Sequence, residues 1–312
     1  ASPDAAVNAP VAGAPVADSL PRHRAYQLLL LAFASVALCA GVYLVAVQTT
    51  AGQQADNDAL EGRAADRPRV QEATGDLLQT ISVASIALIG GVCMVVALFR
   101  RHPLVALGAG VVILGANVTT QVLKEVLPRP DLVSDDVLGQ HNSYPSGHTT
   151  VAISLAVAAV IVVPGAWRGL VALIGTGYAA LVGAGVVTAG WHYPADPVGA
   201  YLVAVAWGAA ITAVIVAWRG RSRRYTRSLD DAPLVGPIFA GIGIALLLLA
   251  FLATALAALA LQSGRLEAVD VTRAYGVSLV AIVGTVTLLM AFLLFCFRGV
   301  HIERREHFRA FG

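Results

Sequence analysis

Charge is scarce in this chain. Asp, Glu, Lys and Arg make up 13% of its 312 residues, against about 25% in soluble globular domains. That shortage excludes an ordinary water-soluble domain of this length. Cysteine is also sparse, and Cys39, Cys93 and Cys296 all lie within apolar runs. A disulfide framework and a thiolate zinc site are excluded, and the three read as small packing residues. The net charge of +2 is too small to hold nucleic acid. The apolar runs are continuous rather than alternating, which excludes a transmembrane β-barrel. Lysine is almost missing: Lys124 is the single one, and every other basic side chain is Arg.

What is present is apolar length. Hydrophobic residues make up 57% of the chain, and the mean hydropathy is +0.74. Crossing a bilayer takes about 20 apolar residues in a helix. Eight stretches approach or exceed that length, over 26–49, 78–99, 104–127, 146–166, 169–190, 197–218, 234–261 and 275–297. The expected fold class is all-α integral membrane, with the lipid bilayer as the surrounding partner. Residues 1–23, rich in Ala and Pro, are expected to be a disordered cytoplasmic tail. The first apolar run is too long for a signal peptide and is expected to persist as a helix.

Basic residues set the expected orientation. With the N-terminus inside, 14 of the 21 basic residues face the cytoplasm, including the cluster Arg219, Arg221, Arg223, Arg224 and Arg227. The segment after the first span carries Asp56, Asp58, Glu61, Asp66, Glu72 and Asp76 and is expected to be an acidic outer loop. Both termini are then cytoplasmic.

Chemistry concentrates at the outward ends of three helices. In the third span Asn117, Gln121 and Lys124 fall at i, i+4 and i+7 on one helical face. Pro128 and Pro130 end that helix, and Arg129 stands between them. Lys124 has a plainer reading too, as a residue snorkelling at a helix end. Tyr144-Pro145-Ser146-Gly147-His148 then leads into the fourth span. Free N–H groups at a helix start form an anion site. Ser146 adds a hydroxyl, Gly147 allows close approach, and His148 can give a proton to a leaving oxygen. The same residues also read as an ordinary N-cap. After the fifth span come His192 and Asp196. A carboxylate on one imidazole nitrogen fixes the tautomer and makes the other nitrogen nucleophilic. Asp196-Pro197 reads equally as an N-cap and first-turn pair. Together these features supply what phosphoryl transfer needs: cations, a nucleophile and a general acid. His141, Asp131, Asp135 and Asp136 match no usual metal-ligand spacing, and no metal or other cofactor is expected.

Lys124…Arg129-Pro130, Pro145-Ser146-Gly147-His148 and His192…Asp196 resemble the three signature motifs of the type-2 phosphatidic acid phosphatase family, within the vanadium haloperoxidase-like superfamily. The resemblance covers residues 78–218. It implies a six-helix phosphatase core over 24–218, with 219–312 adding two helices. It also implies a metal-independent lipid phosphatase. His192 would attack phosphorus with Asp196 orienting it, and His148 would protonate the leaving group. Lys124, Arg129, Ser146 and Gly147 would hold the phosphoryl oxygens. The substrate would be a membrane lipid phosphate or isoprenoid diphosphate, met at the outer face. Two departures stand out. Four residues separate Lys124 from Arg129 where the family has six, and Gly185-Val186 occupy the positions of a family Ser-Arg. The nearest substitute for that Arg is His141. Phosphotransfer to a sugar or lipid acceptor, and a degenerate transporter or scaffold, are the competing readings.

Overall fold

The computed structural model describes residues 20–66, 68–79, 83–100, 102–134, 137–138, 141–220, 234–263 and 269–297. Among these, every regular element is helical. Helix α1 (Leu20–Val42) runs into a π turn (Tyr43–Val47), and α2 (Thr50–Glu61) into a 3-10 turn (Gly62–Ala65). Then follow α3 (Pro68–Gln79), α4 (Val83–Phe99), α5 (Pro103–Val126), α6 (Gly147–Val162), α7 (Gly165–Thr188), α8 (Ala195–Gly220), α9 (Val235–Gln262) and α10 (Val271–Phe297). Most of the expected N-terminal tail, and Arg221, Arg223, Arg224 and Arg227, lie outside the described residues.

Six helical segments have the length and apolarity to cross a bilayer, namely His23–Val47, Pro103–Val126, Gly165–Thr188, Ala195–Trp218, Val235–Gln262 and Val271–Phe297. The other two expected spans are shorter helices, α4 with 17 residues and α6 with 16. Helix α6 stops early for a local reason. Val163 is extended, at ψ 155°, because Pro164 follows and disfavours helical geometry before it.

The short α6 is the centre of the bundle. Thr149 to Ala158 and Val160 to Val162 are all buried, with α4, α5, α7 and α8 packed around them. Lipid gives helices no hydrophobic reason to associate, so close approach through small residues takes that role. A side chain on Gly175 would begin 2.7 Å from the Ala156 Cβ, and one on Gly208 2.3 Å from Val157. On the periphery α1 lies along α8, α10 packs on α7, α8 and α2, and α9 rests on α10. The outer face of α9 presents Leu248, Phe251, Leu252, Leu256 and Leu259.

The segment expected as an acidic outer loop is folded. Thr49 caps α2 by accepting from the Gly52 N–H at 3.0 Å, and Gln53, Asn57 and Leu60 form its buried face. A Cβ on Gly62 would overlap the Val271 carbonyl oxygen of α10. From α10, the Tyr275 hydroxyl donates to Asp66 Oδ2 and meets Thr188 Oγ1, both at 2.6 Å. α2, the 3-10 turn and α3 thus form a cap tied to the ends of α7 and α10.

Candidate active site

The cap and the three helix ends meet at one place. Helix α7 ends in a turn at Gly190, whose φ of 73° is the left-handed geometry that favours glycine at a helix C-terminus. The Val186 carbonyl then accepts from the N–H groups of both Trp191 and His192, at 2.9 and 3.2 Å. Val186 stands where the resemblance expects Arg, and it is buried. Its backbone holds the histidine turn, and its side chain offers phosphate nothing.

His192 Nδ1 lies 2.9 Å from Asp196 Oδ2. Asp196 is fully buried in the first turn of α8, where the helix dipole favours a carboxylate. Its Oδ2 also accepts from the Ser143 hydroxyl at 2.6 Å and the Tyr193 N–H at 3.2 Å. With Nδ1 donating to a carboxylate, Nε2 carries the free lone pair.

The start of α6 is joined to the same residue, because the Ser146 N–H donates to the Asp196 carbonyl at 3.1 Å. Ser146 is buried, and its Oγ accepts from the Thr149 N–H at 3.4 Å. The capping reading therefore holds for Ser146. A Cβ on Gly147 would lie 3.6 Å from Gln121 Nε2 and 3.8 Å from Lys124 Nζ, so the polar stripe of α5 faces this helix start. His148 lies against Trp191, ring centroids 5.3 Å apart, with His192 and Lys124 as its charged neighbours.

The short spacing between Lys124 and Arg129 has a geometric resolution. Lys124 is on the last turn of α5, whereas Leu127 is already extended, at ψ 122°. Arg129 is thus carried by extended chain, and both carbonyls beside it are held. Tyr43 and Gln48 each donate to Pro128 O at 2.6 Å, and Gln53 donates to Pro130 O at 2.7 Å. The Arg129 guanidinium lies 4.3 Å over the Tyr193 ring. His141 is exposed. Asp135 and Asp136 lie outside the described residues.

Three contributors escape the sequence reading. Ser143 is one. The second is Arg63, whose guanidinium covers Gly190 so closely that a Cβ there would sit 2.6 Å from Cζ. The third is Asp56, which accepts from the Ala195 N–H at the start of α8 and has Asp196 and Arg129 as charged neighbours. Burial pushes the Asp56 carboxyl well above the usual carboxylate range, and the negative charge of Asp196 adds to this. The i, i+3 relation of Gln53 and Asp56 was the available signal.

The long apolar helices define a multi-pass membrane protein. The PAP2 superfamily model matches residues 105–224, the stretch from α5 through α8. Over that stretch the chain is similar to the PAP2 superfamily. No curated protein and no solved structure matches the chain.

Proposed function

We propose that the protein hydrolyses a lipid phosphate or isoprenoid diphosphate at the outer face of the membrane, through a phosphohistidine and without a metal ion. The His192 Nδ1–Asp196 Oδ2 contact of 2.9 Å carries this reading. The Asp196 carboxylate holds the Nδ1 proton, and Nε2 attacks phosphorus. An N–P bond forms as the bond to the lipid oxygen breaks, and His148 gives that oxygen its proton. Lys124, Arg129 and the N–H groups at the start of α6 balance the charge on the phosphoryl oxygens. Water then attacks the phosphohistidine, His148 takes a proton from it, and phosphate leaves with His192 restored. The outward orientation rests on the excess of Arg in the segments assigned to the cytoplasm.

The test is phosphate release by the full chain in detergent with EDTA, from phosphatidic acid, phosphatidylglycerol phosphate and a polyprenyl diphosphate. Release from at least one, abolished in His192→Ala, is expected. Absence of release from all three would sink the reading, and a phosphorylated acceptor without free phosphate would make the enzyme a transferase. A cysteine placed in 131–134 should react with an impermeant thiol reagent in intact cells if the site faces outward.

A further inference from the structure

The proposed chemistry uses one carboxylate, Asp196, yet a second lies beside it. Asp56 comes from the extramembrane helix α2, not from the residues that match the family. Its carboxyl accepts from the Ala195 N–H, one residue before Asp196, so it reaches the first turn of α8. Oδ2 of Asp56 and Oδ1 of Asp196 are both buried without a hydrogen-bond partner. Gln53, one turn back on α2, donates to Pro130 O next to Arg129. Helix α2 therefore touches the helix that carries Asp196 and the Arg129 segment at once.

We propose that Asp56 is a positioning residue for the His192–Asp196 pair: it docks α2 on the first turn of α8 and sets how the site depends on pH. A carboxyl shielded from water near a second negative charge favours its protonated form. Asp196 Oδ2 has three hydrogen-bond partners, whereas burial, and then the charge of Asp196, hold the Asp56 carboxyl well above the usual carboxylate range, so the proton belongs to Asp56. Ionising Asp56 would place a second negative charge where an anionic phosphoryl group must enter. The charged and titratable groups around it are consistent with that role. Asp196 opposes its ionisation and Arg129 favours it, while Tyr144 senses its charge. From the other elements packed on α2, Tyr275 is engaged by Asp66 and Thr188, and Tyr43 by Pro128 O.

The rate readout rests on the proposed phosphatase reaction, and a second readout does not. Asp56→Asn is nearly isosteric and keeps an acceptor for the Ala195 N–H. In the wild type, phosphate release should fall on the alkaline side by about tenfold per pH unit, and Asp56→Asn should lose or displace that limb. Thermal unfolding gives the independent arm. A carboxyl whose pKa is raised by folding favours the folded state at acidic pH and loses that contribution as pH rises through its folded pKa. The Tm of Asp56→Asn should therefore gain on the wild type by a few degrees as pH rises. In Asp196→Asn, loss of the neighbouring charge should make the wild-type fall in Tm level off at lower pH, which keeps the question open to test if Asp56→Asn does not fold. Superimposable pH–rate profiles, or a Tm difference independent of pH, would overturn the inference. A wild type that releases no phosphate at any pH would overturn the proposed function instead, and the Tm arm alone would then decide on Asp56.

Discussion

The Ser143 hydroxyl donates to Asp196 Oδ2 at 2.6 Å, on the same oxygen that faces His192. A residue of the loop before α6 thus fixes the position of the Asp196 carboxyl at the start of α8. A hydrogen bond to a charged group contributes about 1.5–3 kcal/mol. Ser143→Ala should then lower kcat/KM roughly ten- to a hundredfold, with the fold retained by circular dichroism. An unchanged kcat/KM would show that Asp196 is positioned without help from this loop.

Gly147→Ala separates folding from phosphate binding. The added Cβ would lie 3.6 Å from Gln121 Nε2 and 3.8 Å from Lys124 Nζ, which is ordinary contact, so the protein should fold with an unaltered Tm. The methyl group would occupy space between the helix start and the lysine. A rise in KM of about tenfold, the effect of roughly 1.4 kcal/mol, is expected in steady-state phosphate release. A matching loss of Tm would show that the glycine serves packing alone.

Gly190→Ala should do the opposite and damage the structure first. The substitution meets both a φ of 73° and the Arg63 guanidinium. Left-handed geometry costs a non-glycine residue about 1–2 kcal/mol, and overpacking about 1–3 kcal/mol more. The Tm should fall by several degrees. Arg63→Ala in the same chain should recover part of that fall, because it removes the overlap while leaving the strain.

Tyr275→Phe tests the tie between α10 and the cap. The hydroxyl joins Asp66 and Thr188, each at 2.6 Å. Without it the cap loses a bond worth about 1.5–3 kcal/mol to a charged acceptor. Limited proteolysis should then cut within 62–79 faster than in the wild type. Equal cleavage rates would mean that the overlap of Gly62 with Val271 suffices to seat the cap.

How far the sequence could be read depended on which physical signal each element carries. Hydropathy located the long helices, because a bilayer crossing demands length. It overestimated α6, since the residues beyond Val162 are just as apolar and only Pro164 ends the helix. The His192 and Asp196 pairing follows from i, i+4 spacing, and the contact is present in the structure. The cap was illegible to hydropathy. Helix α2 is polar on both faces, and its buried Gln53 and Asn57 bond to backbone groups distant in sequence. Asp56 looks from composition like one of six acids in an outer loop. Its burial is a property of where α8 begins, which no local pattern records.

Helix α9 rests on α10, and its crossing is set by two glycines. A Cβ on Gly243 would lie 2.8 Å from the Leu288 N, and one on Gly284 3.0 Å from the Leu246 Cβ. Synthesis delivers α9 before the helix that receives it. Its contacts in the bundle are with α10 rather than with the core formed by α1 and α4 to α8, so α9 gains its seat only once α10 is present.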